Sequence, residues 1–130
     1  MQPIRVFLLS ESRLLREAFA QAFHKERDLT VVGDCARSAE ALTLMAQSPC
    51  DVLLLDSRLP QWNSQTINDF RSSFPDVRII LLNTDSSESS YSGLPASGIA
   101  GHLFKESSIK DVIRTVRGVA RRNRPHVSVQ

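Results

Sequence analysis

The segment Asp51-Val52-Leu53-Leu54-Leu55-Asp56 constrains the fold more than any other stretch of the chain. Its four consecutive apolar residues are far too few to span a membrane. They are also too uniform for a strand with one wet face, which would alternate apolar and polar side chains. The segment reads as a strand buried on both sides, as in a parallel sheet covered by helices. No apolar run elsewhere in the chain is longer.

Hydrophobic periodicity supplies the partners of that strand as five strand-then-helix units. Ile4 to Leu9 is short and apolar. After it, Leu14-Leu15, Ala18-Phe19 and Ala22-Phe23 recur every four residues as one helical face, with Ser12 at the N-cap position. Leu29 to Gly33 is a second strand, followed by a helix from Ser38 to Gln47 that Pro49 ends. After the third strand, Pro60 and Asn63 mark a loop and Thr66 to Ser72 a weak helix. Val77 to Leu82 and Ile99 to Phe104 are the fourth and fifth strands. The last helix places Ile109, Val112, Ile113 and Val116 on one face behind a Ser108/Asp111 capping pair. Between the fourth and fifth strands, residues 85–95 hold serines, Gly93 and Pro95. This fourth helix is degraded to a frayed turn or a loop. Alternating units with short connections imply right-handed crossovers and an α/β, doubly wound parallel sheet.

The 130 residues suit one domain, and 42% apolar with 23% charged residues is ordinary for a globular protein. The N-terminus lacks a small-residue cleavage site and does not read as a signal peptide. Cys35 and Cys50 have no metal-ligand or CxxC spacing and read as reduced cysteines of a cytoplasmic protein. The net charge of +2 conceals an asymmetry: residues 1–104 carry 9 basic and 12 acidic groups, whereas residues 105–130 carry 7 and 2. The basic end reads as a solvated helix running into a linker, since one helix is too little for a helix-turn-helix. The expected organisation is a domain over 1–120 and a basic tail or linker start over 121–130.

In open α/β sheets, ligands bind beyond the carboxyl ends of the strands. Here those ends are followed by Ser10-Glu11, Asp56-Ser57-Arg58, Asn83-Thr84-Asp85 and Lys105-Glu106. Carboxylates, small polar groups and one lysine converge. Such a set suits a divalent cation beside a transferable phosphoryl group, with Asp56 able to form an aspartyl-phosphate. Taken singly, each residue is more simply a helix start, a turn or a solvated loop charge.

Ile4-Arg5-Val6 through Leu14-Leu15-Arg16-Glu17, then Asp51 to Pro60, then Gly101-His102-Leu103-Phe104-Lys105 resemble the receiver domains of response regulators. The resemblance is greatest to the CheY-like receivers that precede LuxR/NarL-type DNA-binding domains, and it runs from about Ile4 to about Gly118. It implies a flavodoxin-like sheet of strand order 2-1-3-4-5. It further implies that Asp56 is the phosphoacceptor, that the Arg58 backbone carbonyl ligates Mg²⁺, and that Lys105 pairs with the phosphoryl group. Asn83 falls on the hydroxyl position that binds the phosphoryl, with Thr84 beside it as a substitute. Ser10 and Glu11 fall on the acidic pair that holds the metal, and His102 falls on the switch aromatic. Ser10, Asn83 and His102 depart from the pattern, so weak Mg²⁺ binding and inefficient phosphorylation are expected.

The function implied is a receiver of a two-component system rather than an enzyme. It would take a phosphoryl group from a histidine kinase or phosphotransfer protein and regulate transcription through an attached or partner output domain. DNA contact would come only through that output domain; a homodimer would use the last helix, and no membrane is involved. The alternative is a phosphorylation-independent pseudo-receiver serving as a dimerisation or interaction module. A haloacid-dehalogenase-type phosphatase is disfavoured because position 58 is Arg rather than Asp, and a flavodoxin because the loop after the first strand lacks glycine.

Overall fold

The computed structural model of the chain describes residues 2–59, 64–84, 99–104 and 106–122, with the side chains of Ser64, Asn83, Thr84 and Arg122 left aside. The degraded fourth helix expected over 85–95 lies outside the described residues. Five strands, β1 (Ile4–Leu9), β2 (Leu29–Cys35), β3 (Val52–Asp56), β4 (Arg78–Thr84) and β5 (Ile99–Phe104), form one all-parallel sheet in the order β2-β1-β3-β4-β5. Among the described residues there are four helices: α1 (Arg13–His24), α2 (Ser38–Gln47), α3 (Ser64–Ser73) and α4 (Ile109–Arg122). This is the doubly wound architecture and strand order expected. None of these helices is long and apolar enough to cross a membrane.

Every residue of β3 is buried, and successive side chains enter opposite cores. Val52 and Leu54 join Val6, Leu8 and Ile80 beneath Phe23 of α1 and Val112, Val116 and Val119 of α4. Leu53 and Leu55 join Phe7, Leu9 and Leu81 beneath Met45 of α2 and Ile67 and Phe70 of α3. Each fully buried Leu contributes about 1.5–3 kcal/mol of transfer free energy, so the two-sided strand anchors the sheet. Where β1 meets β2 the register skips Val32, and Gly33 lies against Phe7. A Cβ at position 33 would stand 2.6 Å from a Phe7 ring carbon, so only glycine fits there without a shift. Cys35 and Cys50 are free and buried; burial raises both thiols, that of Cys50 to about 12.

The caps form as expected. Ser12 Oγ accepts from the Leu15 amide at 3.1 Å, and Ser108 and Asp111 exchange backbone-to-side-chain hydrogen bonds at 3.0 and 3.2 Å. Three expectations need correction. The packed face of α1 is Leu15, Phe19, Ala20, Ala22 and Phe23, whereas Ala18 is exposed and Leu14 is 79% exposed. The apolar pairs are wider than the stripe that meets the sheet, so one member of the first two pairs is left in solvent. Strand β2 continues past Gly33 to Cys35 because pairing with β1 extends to Leu9. Likewise Asn83 and Thr84 are not a loop after β4 but its last two residues, since Thr84 still pairs with Phe104 of β5.

Candidate functional site

The carboxyl ends of β1 and β3 are neighbours in the sheet, and this adjacency brings Ser10 and Asp56 together. Both are almost wholly buried, at 1% and 2% exposure. Ser10 Oγ donates to Asp56 Oδ2 at 2.7 Å and accepts from the Ser12 amide at 3.1 Å. The backbone of Ser10 is pinned as well, since its amide donates to the Cys35 carbonyl at 3.1 Å and its carbonyl accepts from Arg16 Nη1. Arg16 also pairs with Asp34 through Nε at 2.9 Å, which ties α1 and the β1–α1 loop to the end of β2.

Past β3 the chain turns sharply, with the Leu59 amide donating to the Asp56 carbonyl at 3.3 Å. This turn aims Arg58 back at Asp56. The Arg58 amide donates to Oδ1 at 2.9 Å, its Nε to the same oxygen at 3.2 Å, and its Nη2 to Oδ2 at 3.3 Å. Glu11, Ser12, Asp56 and Arg58 line an open cavity of about 340 Å³, with Glu11 exposed at its rim. A buried carboxylate at the base, held by hydroxyl and guanidinium donors, can act as an oxygen nucleophile toward a group entering from solvent.

The response regulator receiver domain family matches residues 6–117. The chain belongs to this family. Relatives of this receiver include the transcriptional regulatory protein YxjL of Bacillus subtilis, 31% identical over 120 residues, which span 91% of this chain and 55% of YxjL. The DNA-binding transcriptional activator DevR/DosR of Mycobacterium tuberculosis is 27% identical over 117 residues, 89% of this chain and 54% of the activator. The receiver thus spans about half the length of the curated relatives it matches. Among solved structures, the signal receiver domain of NarL from Mycobacterium tuberculosis superposes with a TM-score of 0.82 at 27% identity, covering 93% of this chain and 98% of that one.

Of the residues expected at the receiver's pocket, Ser10, Asp56 and Arg58 are in contact and Glu11 lines the same cavity. Asn83 and Thr84 end β4, the strand beside Asp56, and Lys105 lies outside the described residues. His102 sits two strands from Asp56, in register with Leu81 and through it with Leu55, one residue short of the Asp56 level. Its ring lies 5.8 Å from that of Phe104, and burial lowers its pKa. Two contributors were missed from sequence: the Arg58 side chain, considered only for its carbonyl, and Arg16. The signal for Arg58 was its spacing, since a long cation two residues after a strand-terminal carboxylate can fold back in a turn. Arg16 carried no such local sign, because its partner Asp34 is 18 residues away.

Receiver domains generally hold Mg²⁺ in an acidic pocket. The donors of this pocket do not suit that ion as they stand. Both oxygens of Asp56 accept hydrogen bonds, a guanidinium supplies two of them, and one position of the acidic pair is a hydroxyl that donates to Asp56. Among the described residues, no three His, Cys, Asp or Glu side chains converge on a metal position.

Proposed function

We propose that this receiver accepts a phosphoryl group at Asp56, inefficiently and with weak Mg²⁺ affinity, and regulates transcription through an output domain. The position of Asp56 carries this reading: it is buried at the carboxyl end of the central strand and lines an open cavity, in a chain of the receiver family. In the transfer, a carboxylate oxygen of Asp56 attacks the phosphorus of a phosphohistidine. The new O–P bond forms as the P–N bond breaks, and the imidazole nitrogen leaves with the bonding pair. Lys105 would pair with the phosphoryl oxygens, Asn83 or Thr84 would hydrogen-bond them, and His102 would report the change toward the output surface. The kinase or phosphotransfer protein, the homodimer and the cytoplasmic setting belong to this same proposal. So does the division at residue 120, which α4 crosses to reach Arg122.

The second reading is an interaction module that works without phosphorylation. The hydroxyl at position 10 and the guanidinium on Asp56 favour it, because both quench the carboxylate without a metal. Intact-mass spectrometry after incubation with acetyl phosphate and Mg²⁺ separates the two. The first reading expects a phosphoryl adduct of slow onset that disappears in Asp56→Asn. No adduct in the unmodified chain, or one that persists in Asp56→Asn, overturns it.

A further inference from the structure

We propose that the Arg58 guanidinium is a built-in counter-cation of Asp56 that competes with Mg²⁺ for the pocket. This rests on the reading of the pocket given above and assigns a regulator to it. The guanidinium spans the carboxylate, with Nε on Oδ1 at 3.2 Å and Nη2 on Oδ2 at 3.3 Å. The two partners differ sharply in exposure: the Asp56 side chain is 3% exposed and that of Arg58 is 58% exposed. The cation therefore covers the solvent side of a buried anion, the side from which an ion would enter. Glu11 and Ser12 complete the lining of the same cavity, so Arg58 stands at the pocket through which an ion would reach Asp56.

Three physical consequences follow. A divalent ion reaching Asp56 meets like-charge repulsion from the guanidinium unless that group swings out. The swing is feasible, because the side chain is exposed and its partner is only two residues away. The Arg58 amide stays on Oδ1 at 2.9 Å when the side chain leaves, so the carboxylate keeps its orientation. Arg58 thus offsets the charge of Asp56 in the metal-free pocket and raises the Mg²⁺ concentration at which it loads.

The test is calorimetric titration with MgCl₂ at constant ionic strength, using the intact 130-residue chain. Arg58→Ala is expected to bind Mg²⁺ about tenfold more tightly than the unmodified chain, and Arg58→Lys to gain less, since lysine keeps the charge but loses the planar fork. Saturable binding in Arg58→Ala should vanish when Asp56→Asn is added. In the unmodified chain, the Arg58 Nε–H resonance should shift along the same Mg²⁺ titration curve. Equal affinity for the unmodified chain and Arg58→Ala, binding that survives in the double variant, or an unmoved Nε–H resonance overturns the proposal. None of these readouts depends on phosphoryl transfer. A chain that gains affinity in Arg58→Ala yet forms no acetyl-phosphate adduct refutes phosphoacceptance while leaving the competition intact.

Discussion

Ser10 Oγ donates a 2.7 Å hydrogen bond to Oδ2 of Asp56, joining two buried side chains 46 residues apart in the chain. A carboxylate in place of that hydroxyl would put two like charges side by side in a buried site. The serine instead satisfies Asp56 directly.

From this pairing, Ser10→Asp is expected to lower stability in metal-free buffer and to tighten Mg²⁺ binding, so that added Mg²⁺ restores the loss. Ser10→Ala, which only removes the donor, should cost about 1–3 kcal/mol by leaving a buried acceptor less satisfied. Urea unfolding with and without Mg²⁺ measures both. A Ser10→Asp chain whose midpoint ignores Mg²⁺ would count against this account.

His102 gives a pH dependence. Burial lowers its folded pKa below the ordinary histidine value of about 6.5, so the unfolded chain binds the proton more readily. Stability from the neutral ring is present above the unfolded pKa and is lost as pH falls through the folded one. Thermal melts between pH 7.5 and pH 5, taken as a window of about two units around that value, should show a falling Tm. The fall should be shallower in His102→Phe. Identical slopes in the two proteins would refute the assignment.

Arg117 of α4 reaches across to Glu26 at 2.7 Å and to Asp28 at 2.7 and 2.8 Å. Its hydrogen bonds hold the Asp28 carboxyl below its ordinary range, and the two carboxylates raise Arg117 in turn. All three side chains are about a third exposed, so solvent screening keeps the contribution small. Arg117→Ala is expected to cost about 1 kcal/mol at neutral pH. Because the folded Asp28 pKa is depressed, the difference from the unmodified chain should shrink as pH falls through that value. A difference that grows in acid would sink the idea.

Helix α4 presents a basic outer surface. Lys110, Arg114 and Arg121 face solvent, while Arg117 is occupied within its own chain. Self-association through the last helix is therefore expected to respond to Lys110→Glu and Arg114→Glu without loss of fold. Sedimentation velocity across a concentration series reads this directly. Unchanged behaviour of the double variant would remove α4 from the interface.

The core substitution Leu54→Ala is expected to destabilise the chain by about 2–5 kcal/mol, because a fully buried central-strand leucine leaves a cavity between α1 and α4. Chemical denaturation checks it, and a loss under about 1 kcal/mol would mean the two cores repack freely.

What the sequence determined alone was everything set by local periodicity. The all-apolar interior of β3 announced burial on both faces, and the residues after each strand announced a polar edge, because side-chain direction in a strand follows directly from position. Strand order came from the family resemblance to Asp51 through Pro60 and its companions, not from periodicity. The tertiary structure decided what depends on distance through space. Whether Leu14 or Leu15 met the core depended on how α1 is rotated against the sheet, since both belong to the same apolar pairs. Whether β4 stopped at Leu82 or ran on to Thr84 depended on the length of β5 beside it. The partners of Arg117 are 89 and 91 residues away, beyond any local pattern. Arg58 stands between the two cases: its place beside Asp56 is local, but the turn after β3 is what folds its guanidinium back onto the carboxylate.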